Sequence, residues 1–143
     1  MRILICLLFV ILLSSCKKEE AISEIPTIAF VSILPNTAQE YLDKIIITIS
    51  YTDGDGNLGE NNPDIKNLFV EDNRNGIEYQ FRIPELSPNG STIVIEGNFN
   101  VTINGTGITN ESSSQKVEYS IYVNDRAGNK SNIITTSEIT IQE

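Results

Sequence analysis

Histidine and tryptophan are missing from this 143-residue chain, cysteine occurs twice and methionine once. Without histidine no Ser-His-Asp or Cys-His arrangement forms, and the usual transition-metal ligand is gone. Cations are scarce: 10 Lys plus Arg stand against 19 Asp plus Glu, for a formal net charge of −9. That balance argues against nucleic-acid binding, because phosphate contacts need clustered cations. Long apolar runs are limited to Ile3–Leu13, shorter than the roughly twenty residues of a membrane-spanning helix. Beyond that run no apolar repeat at helical spacing is long enough to matter, so helices are expected to be absent or single turns.

What is there begins with Arg2, the apolar run and the small pair Ser14-Ser15, the charged, apolar, small order of a secretory signal. Leu13-Ser14-Ser15-Cys16 resembles the bacterial lipobox, whose cysteine takes a diacylglyceryl group. The resemblance implies that residues 1–15 leave as a signal peptide and that Cys16 carries a covalent lipid. Residues 16–25 then form a charged, lipidated tether and residues 26–143 the folded domain. Each buried methylene contributes roughly 0.8 kcal/mol, so two or more acyl chains hold a protein on a membrane without a spanning helix. Cys6 is a small hydrophobe within the leader, so the mature chain has no disulfide and no free thiol nucleophile. Lys18-Glu19-Glu20 is similar to the surface-export signal of lipoproteins in the Bacteroidetes. The same residues also read as a plain hydrated tether, and both readings stand at this point. The location implied is the outer membrane, with the cell-surface face open.

Downstream the dominant signal is alternation with a period of two, the mark of strands with one buried face. Ile45, Ile47, Ile49 and Tyr51 share one parity, as do Ile77, Tyr79, Phe81 and Ile83. So do Ile93, Ile95, Phe99, Val101 and Ile103, and Val117, Tyr119, Ile121 and Val123. Less regular strands are expected over residues 27–34, 66–72 and 133–141. Turn residues separate them, as in Asp53-Gly54-Asp55-Gly56 and Asn73-Arg74-Asn75-Gly76. The fold class expected is therefore all-β, a seven-stranded antiparallel immunoglobulin-like β-sandwich, with an up-and-down barrel as the rival. Val117–Gly128, VEYSIYVNDRAG, resembles the penultimate strand and following turn of bacterial immunoglobulin-like surface domains, which favours the sandwich. Of the tyrosines, Tyr122 and Tyr41 are the expected surface aromatics.

One loop has metal-ligand spacing. Counting Asp53 as first, Asp55 is third, Asn57 fifth, Gly59 seventh, Asn61 ninth and Asp64 twelfth, the spacing of a calcium loop. Leu58 stands where that pattern wants glycine, Asp64 is shorter than the usual Glu, and the flanks are strands, so this is no EF-hand. Tyr51–Gly59 is also similar to a recurrent segment in Bacteroidetes lipoproteins of unassigned function. A Ca²⁺ site on Asp53, Asp55, Asn57 and Asp64 is one reading, and a tight solvated turn is the other. In immunoglobulin order the loops 53–64, 84–90 and 125–129 meet at one end, so Asp125 is either a fifth ligand or a turn-initiating aspartate.

These features point to a non-catalytic, membrane-anchored module that binds a protein or glycan. A structural part of an envelope assembly and a carboxylate-dependent surface hydrolase are the alternatives. Intact-mass analysis of the detergent-extracted protein is expected to show an acylated Cys16, with that mass lost in Cys16→Ala. A mature form that starts elsewhere without lipid would refute the lipobox reading.

Overall fold

Alternation becomes strand over most of its length in the computed structural model, which describes residues 22–143 apart from Asn89. The leader and Cys16 lie outside the described residues. Ten strands follow in order: β1 (Thr27–Leu34), β2 (Thr37–Gln39), β3 (Lys44–Asp53), β4 (Leu68–Asp72) and β5 (Ile77–Phe81). After them come β6 (Ile95–Asn104), β7 (Ser114–Val117), β8 (Tyr119–Val123), β9 (Ile134–Thr135) and β10 (Ile139–Gln142). Among the described residues there is no helix, and so none long and apolar enough to cross a membrane.

β3 is the middle strand of the antiparallel sheet β1-β3-β6. The other strands pair as β5-β4-β8-β9 and as β2-β10-β7. Only Glu118 separates β7 from β8, and only residues 136–138 separate β9 from β10, so these two groups run along the same two chain segments. One face of the sandwich is thus β1-β3-β6 and the other is β5-β4-β7/β8-β9/β10-β2, the strand order of an immunoglobulin-like sandwich. The described residues between Phe81 and Ile95 form no strand, which leaves β5 and β6 as edges.

The seven expected strands become ten segments for local reasons. β2 is additional: after Leu34 the chain leaves β3 and pairs in parallel with β10 on the other sheet. The break between β9 and β10 falls where the Thr136 hydroxyl accepts the Tyr119 N–H at 3.0 Å, so a side chain replaces a ladder carbonyl. Two inward assignments also fail. Ile77 opens an edge strand and is 54% exposed, and Ile93 precedes β6 and is 50% exposed.

The core is one cluster fed by both sheets, with Ile45, Ile47 and Ile49 of β3 against Leu68 and Val70 of β4 and Tyr119, Ile121 and Val123 of β8. Ile47, Ile95, Tyr119 and Ile121, the mid-stripe positions, are all buried as expected. Gly97 falls on the inward parity of β6 with no side chain, and the Tyr51 ring opposite it fills that place and stacks on Phe99 with centroids 5.1 Å apart. Ile47→Ala or Ile121→Ala is expected to cost about 2–5 kcal/mol in urea denaturation, against under about 1 kcal/mol for Thr48→Ala or Ser120→Ala. Equal costs on the two faces would refute this register.

Candidate functional site

The inward parity of β3 does not stop at Tyr51. Its next member is Asp53, the last residue of the strand, and it is 0% exposed. A carboxylate brought inside by strand geometry needs donors, and the chain supplies one by turning back: the Leu58 N–H donates to Asp53 Oδ2 at 2.7 Å. Leu58, the departure from the calcium-loop pattern, is the apolar anchor of that turn and is also 0% exposed. The loop is therefore packed through Gly59, whereas residues 61–64 are exposed. Its glycines reflect this, because a Cβ on Gly56 would meet the Ile93 carbonyl, and one on Gly59 the Pro84 carbonyl.

Asp55 and Asn57 complete the loop's polar centre. Asn57 donates to Asp55 from its backbone N at 3.3 Å and from Nδ2 at 2.6 Å. Asp53 Oδ1 and Asn57 Oδ1 are both buried without a hydrogen-bond partner among the described residues. Burial pushes the Asp53 carboxyl above the ordinary carboxylate value; the Leu58 N–H opposes this, and like charge on Asp55 and Asp125 adds to it.

Of the five residues singled out in the sequence, the fold thus brings Asp53, Asp55, Asn57 and Asp125 into one neighbourhood. Asp64 is exposed, its backbone N–H bonded to Asn62 Oδ1 at 3.0 Å, and its side chain makes no hydrogen bond to the other four among the described residues. Asp125 acts as a turn residue: its carboxylate accepts the Asn129 N–H at 2.7 Å and Asn129 Nδ2 at 2.8 Å. Among the described residues no three of Asp, Glu, His or Cys are arranged to hold a metal by themselves. Any cation here draws on the Asn57 amide oxygen as well as carboxylates.

The three loops do meet at one end. Arg126 joins two of them, donating from its backbone N to the Asn57 carbonyl at 3.3 Å and from Nη1 to the Gly59 carbonyl at 3.0 Å. Its guanidinium stands 3.8 Å from Glu85 of the third loop, and the Ser87 hydroxyl donates to the Gly56 carbonyl. Sequence reading missed Arg126, Glu85 and Ser87, since nothing local marks a residue that bonds a distant loop. Leu58 did carry a signal, as the lone apolar side chain in a polar loop.

The chain also enters here: Gly54 donates to the Ser23 carbonyl at 2.9 Å. At the opposite end Asp72, on the inward parity of β4, is buried against Arg74 through Nε at 3.0 Å and Nη2 at 2.6 Å. Nearby, Tyr119 is pushed up to about 12 by burial, with its hydroxyl 3.3 Å from Thr106 Oγ1. Tyr41, 67% exposed, and Leu42, 71% exposed, cap the turn before β3. Tyr122 is less available, being half-buried and stacked on Phe69 at 4.8 Å with Lys130 Nζ 3.5 Å from its ring centroid. Between the edges of β5 and β6 lies a groove of about 230 Å³ lined by Leu68, Phe81, Ile83, Phe99 and Val101.

No family model and no curated protein matches this chain. Among solved structures, a Niemann-Pick type C2 protein from Japanese carpenter ant is similar over 87% of this chain and 96% of its own, at 13% identity and a TM-score of 0.39. A likeness that slight carries no argument about fold or function.

Gly56 and Gly76 share a φ of 72°, yet only Gly56 has backbone where a Cβ would go. Gly76→Ala is expected to cost about 1 kcal/mol for the left-handed backbone alone, and Gly56→Ala at least about 2 kcal/mol. Urea midpoints measure the difference, and equal costs would mean that the loop is not packed as described.

Proposed function

We propose that this chain is a non-catalytic envelope lipoprotein, anchored in the outer membrane through acyl chains on Cys16, whose β-sandwich binds a protein partner with the turn at Tyr41-Leu42. The observation that carries this reading is where the chain enters the fold. Residues 22–26 join at the loop end, through the bond from Gly54 to Ser23. Six residue steps from Cys16 to Ile22 span at most about 20 Å, so an anchored Cys16 keeps the loop end near the bilayer. β3 has 10 residues, which sets its other end roughly 30 Å further out.

That outer end carries Tyr41 and Leu42. Tyr41 holds a φ of 57°, the lone positive value outside glycine among the described residues, at a cost of about 1–2 kcal/mol. The turn is held there by the Tyr41 N–H donating to the Thr106 carbonyl at 3.1 Å and the Gln39 N–H donating to Asp43 Oδ2 at 2.8 Å. A strained backbone that presents the Tyr41 ring, laid over Gly107 yet 67% exposed, beside Leu42 in water is stabilised by the rest of the fold, and recognition is the usual use of such a feature. Leu42 beside the tyrosine favours a protein surface over a sugar, since an aliphatic side chain offers sugars no stacking face.

A photo-reactive residue at Leu42, compared with the same probe at Asp64 or Thr48 of the full chain in intact cells, tests the assignment. One discrete, protease-sensitive adduct from position 42 alone is the expected result. An adduct from Asp64 instead, a protease-resistant adduct, or none from position 42 would overturn it.

A further inference from the structure

We propose that Asp53, Asp55 and Asn57 hold one calcium ion at the head of the 53–59 loop. The inference concerns the opposite end of the domain from the partner turn and does not depend on that reading. Two strands of the fold end their inward stripe in an aspartate, Asp53 on β3 and Asp72 on β4. Asp72 ends its stripe just as Asp53 ends that of β3, and it is answered by a guanidinium on two of its oxygens. Asp53 is just as buried, yet the ion pairs among the described residues are Arg74–Asp72, Lys116–Glu138 and Arg126–Glu85. None of them involves Asp53, Asp55 or Asp125.

An uncompensated carboxylate inside a protein costs several kcal/mol, and here a second one lies within hydrogen-bonding reach and a third nearby. Two oxygens stand free for a ligand: Asp53 Oδ1 and Asn57 Oδ1 are buried and without a partner among the described residues. The Asp55 carboxylate adjoins both residues, bonded to Asn57 and facing Asp53. Asp125 adds charge while its oxygens hold the Asn129 turn, and Asp64 lies outside the set.

The donors are all oxygen, which selects a hard cation. Calcium accepts mixed carboxylate, amide, carbonyl and water ligands in flexible numbers, whereas magnesium demands a small, near-octahedral arrangement. A set of two carboxylates and one amide on a loop suits the first, completed by water or backbone carbonyls.

Melting of the full chain in detergent tests this, with chelator, with about 10 mM calcium and with about 10 mM magnesium, concentrations chosen for the millimolar affinity of extracellular calcium modules. Calcium is expected to raise the melting temperature by roughly 5 °C, with a smaller response to magnesium. The rise should vanish in Asp55→Asn and Asp53→Asn and persist in Asp64→Asn. Asp53→Asn keeps an oxygen for the Leu58 N–H, and half-buried Asp55 serves if that variant does not fold. Absence of a calcium response, its survival in Asp55→Asn, its loss in Asp64→Asn, or an equal response to magnesium would each overturn the proposal.

Discussion

Pairing of β3 with β6 keeps a single register from Lys44 to Asp53, and β1 pairs along the other side with one shift between Phe30 and Ser32 that falls on β1. A strand hydrogen-bonded on both sides cannot rotate, so alternate side chains are committed to the core from Ile45 through Asp53. Four of those five positions gain from burial, and the fifth is an aspartate. The rest of the loop end answers that one misfit. Leu58 plugs the core and delivers its N–H to the carboxylate, and the glycines let neighbouring backbones close over the turn.

The same geometry recurs at the far end of the molecule with a different outcome. β4 carries Leu68, Val70 and then Asp72 inward, and the tight turn after it returns Arg74 to Asp72 within two residues. Arg74 goes on to donate to the Gly107 carbonyl and to Gln115, tying the turn to the loop after β6. One end of the sandwich is therefore closed by an internal ion pair and the other by a loop whose anionic groups face one another. In a chain of net charge −9, that contrast makes the Asp53 end the place where an external cation has most to offer.

Entry of the chain beside Gly54 joins this asymmetry to the proposed anchoring. A short tether makes orientation a matter of which end receives the N-terminus, and β1 begins opposite Thr52, next to the aspartate loop. Cross-ties through Arg126 and Ser87 join the loops of that end to one another. The turn at Tyr41 and Leu42, about the length of β3 away, carries the two most exposed large hydrophobic side chains among the described residues.

Strand existence and parity were legible in the sequence, because period two is a local property that survives any arrangement of the strands. Four clean stripes and three less regular strands, separated by glycine- and asparagine-rich turns, pointed to an all-β sandwich over a barrel, and Ile47, Ile95, Tyr119 and Ile121 were readable as core. Even the burial of Asp53 was implicit, one step beyond the stripe that ends at Tyr51. Which loop residues meet was another matter. Spacing alone joined Asp64 to Asp53, whereas the path of the chain after Leu58 leaves Asp64 in solvent and brings Asp125, from a turn more than sixty residues on, beside Asp53 instead. The sequence by itself determined which side chains could face the core. Only the tertiary structure decided which carboxylates share a neighbourhood, because the approach of Asp125 to Asp53 depends on distances set by register and loop packing between residues far apart in the chain.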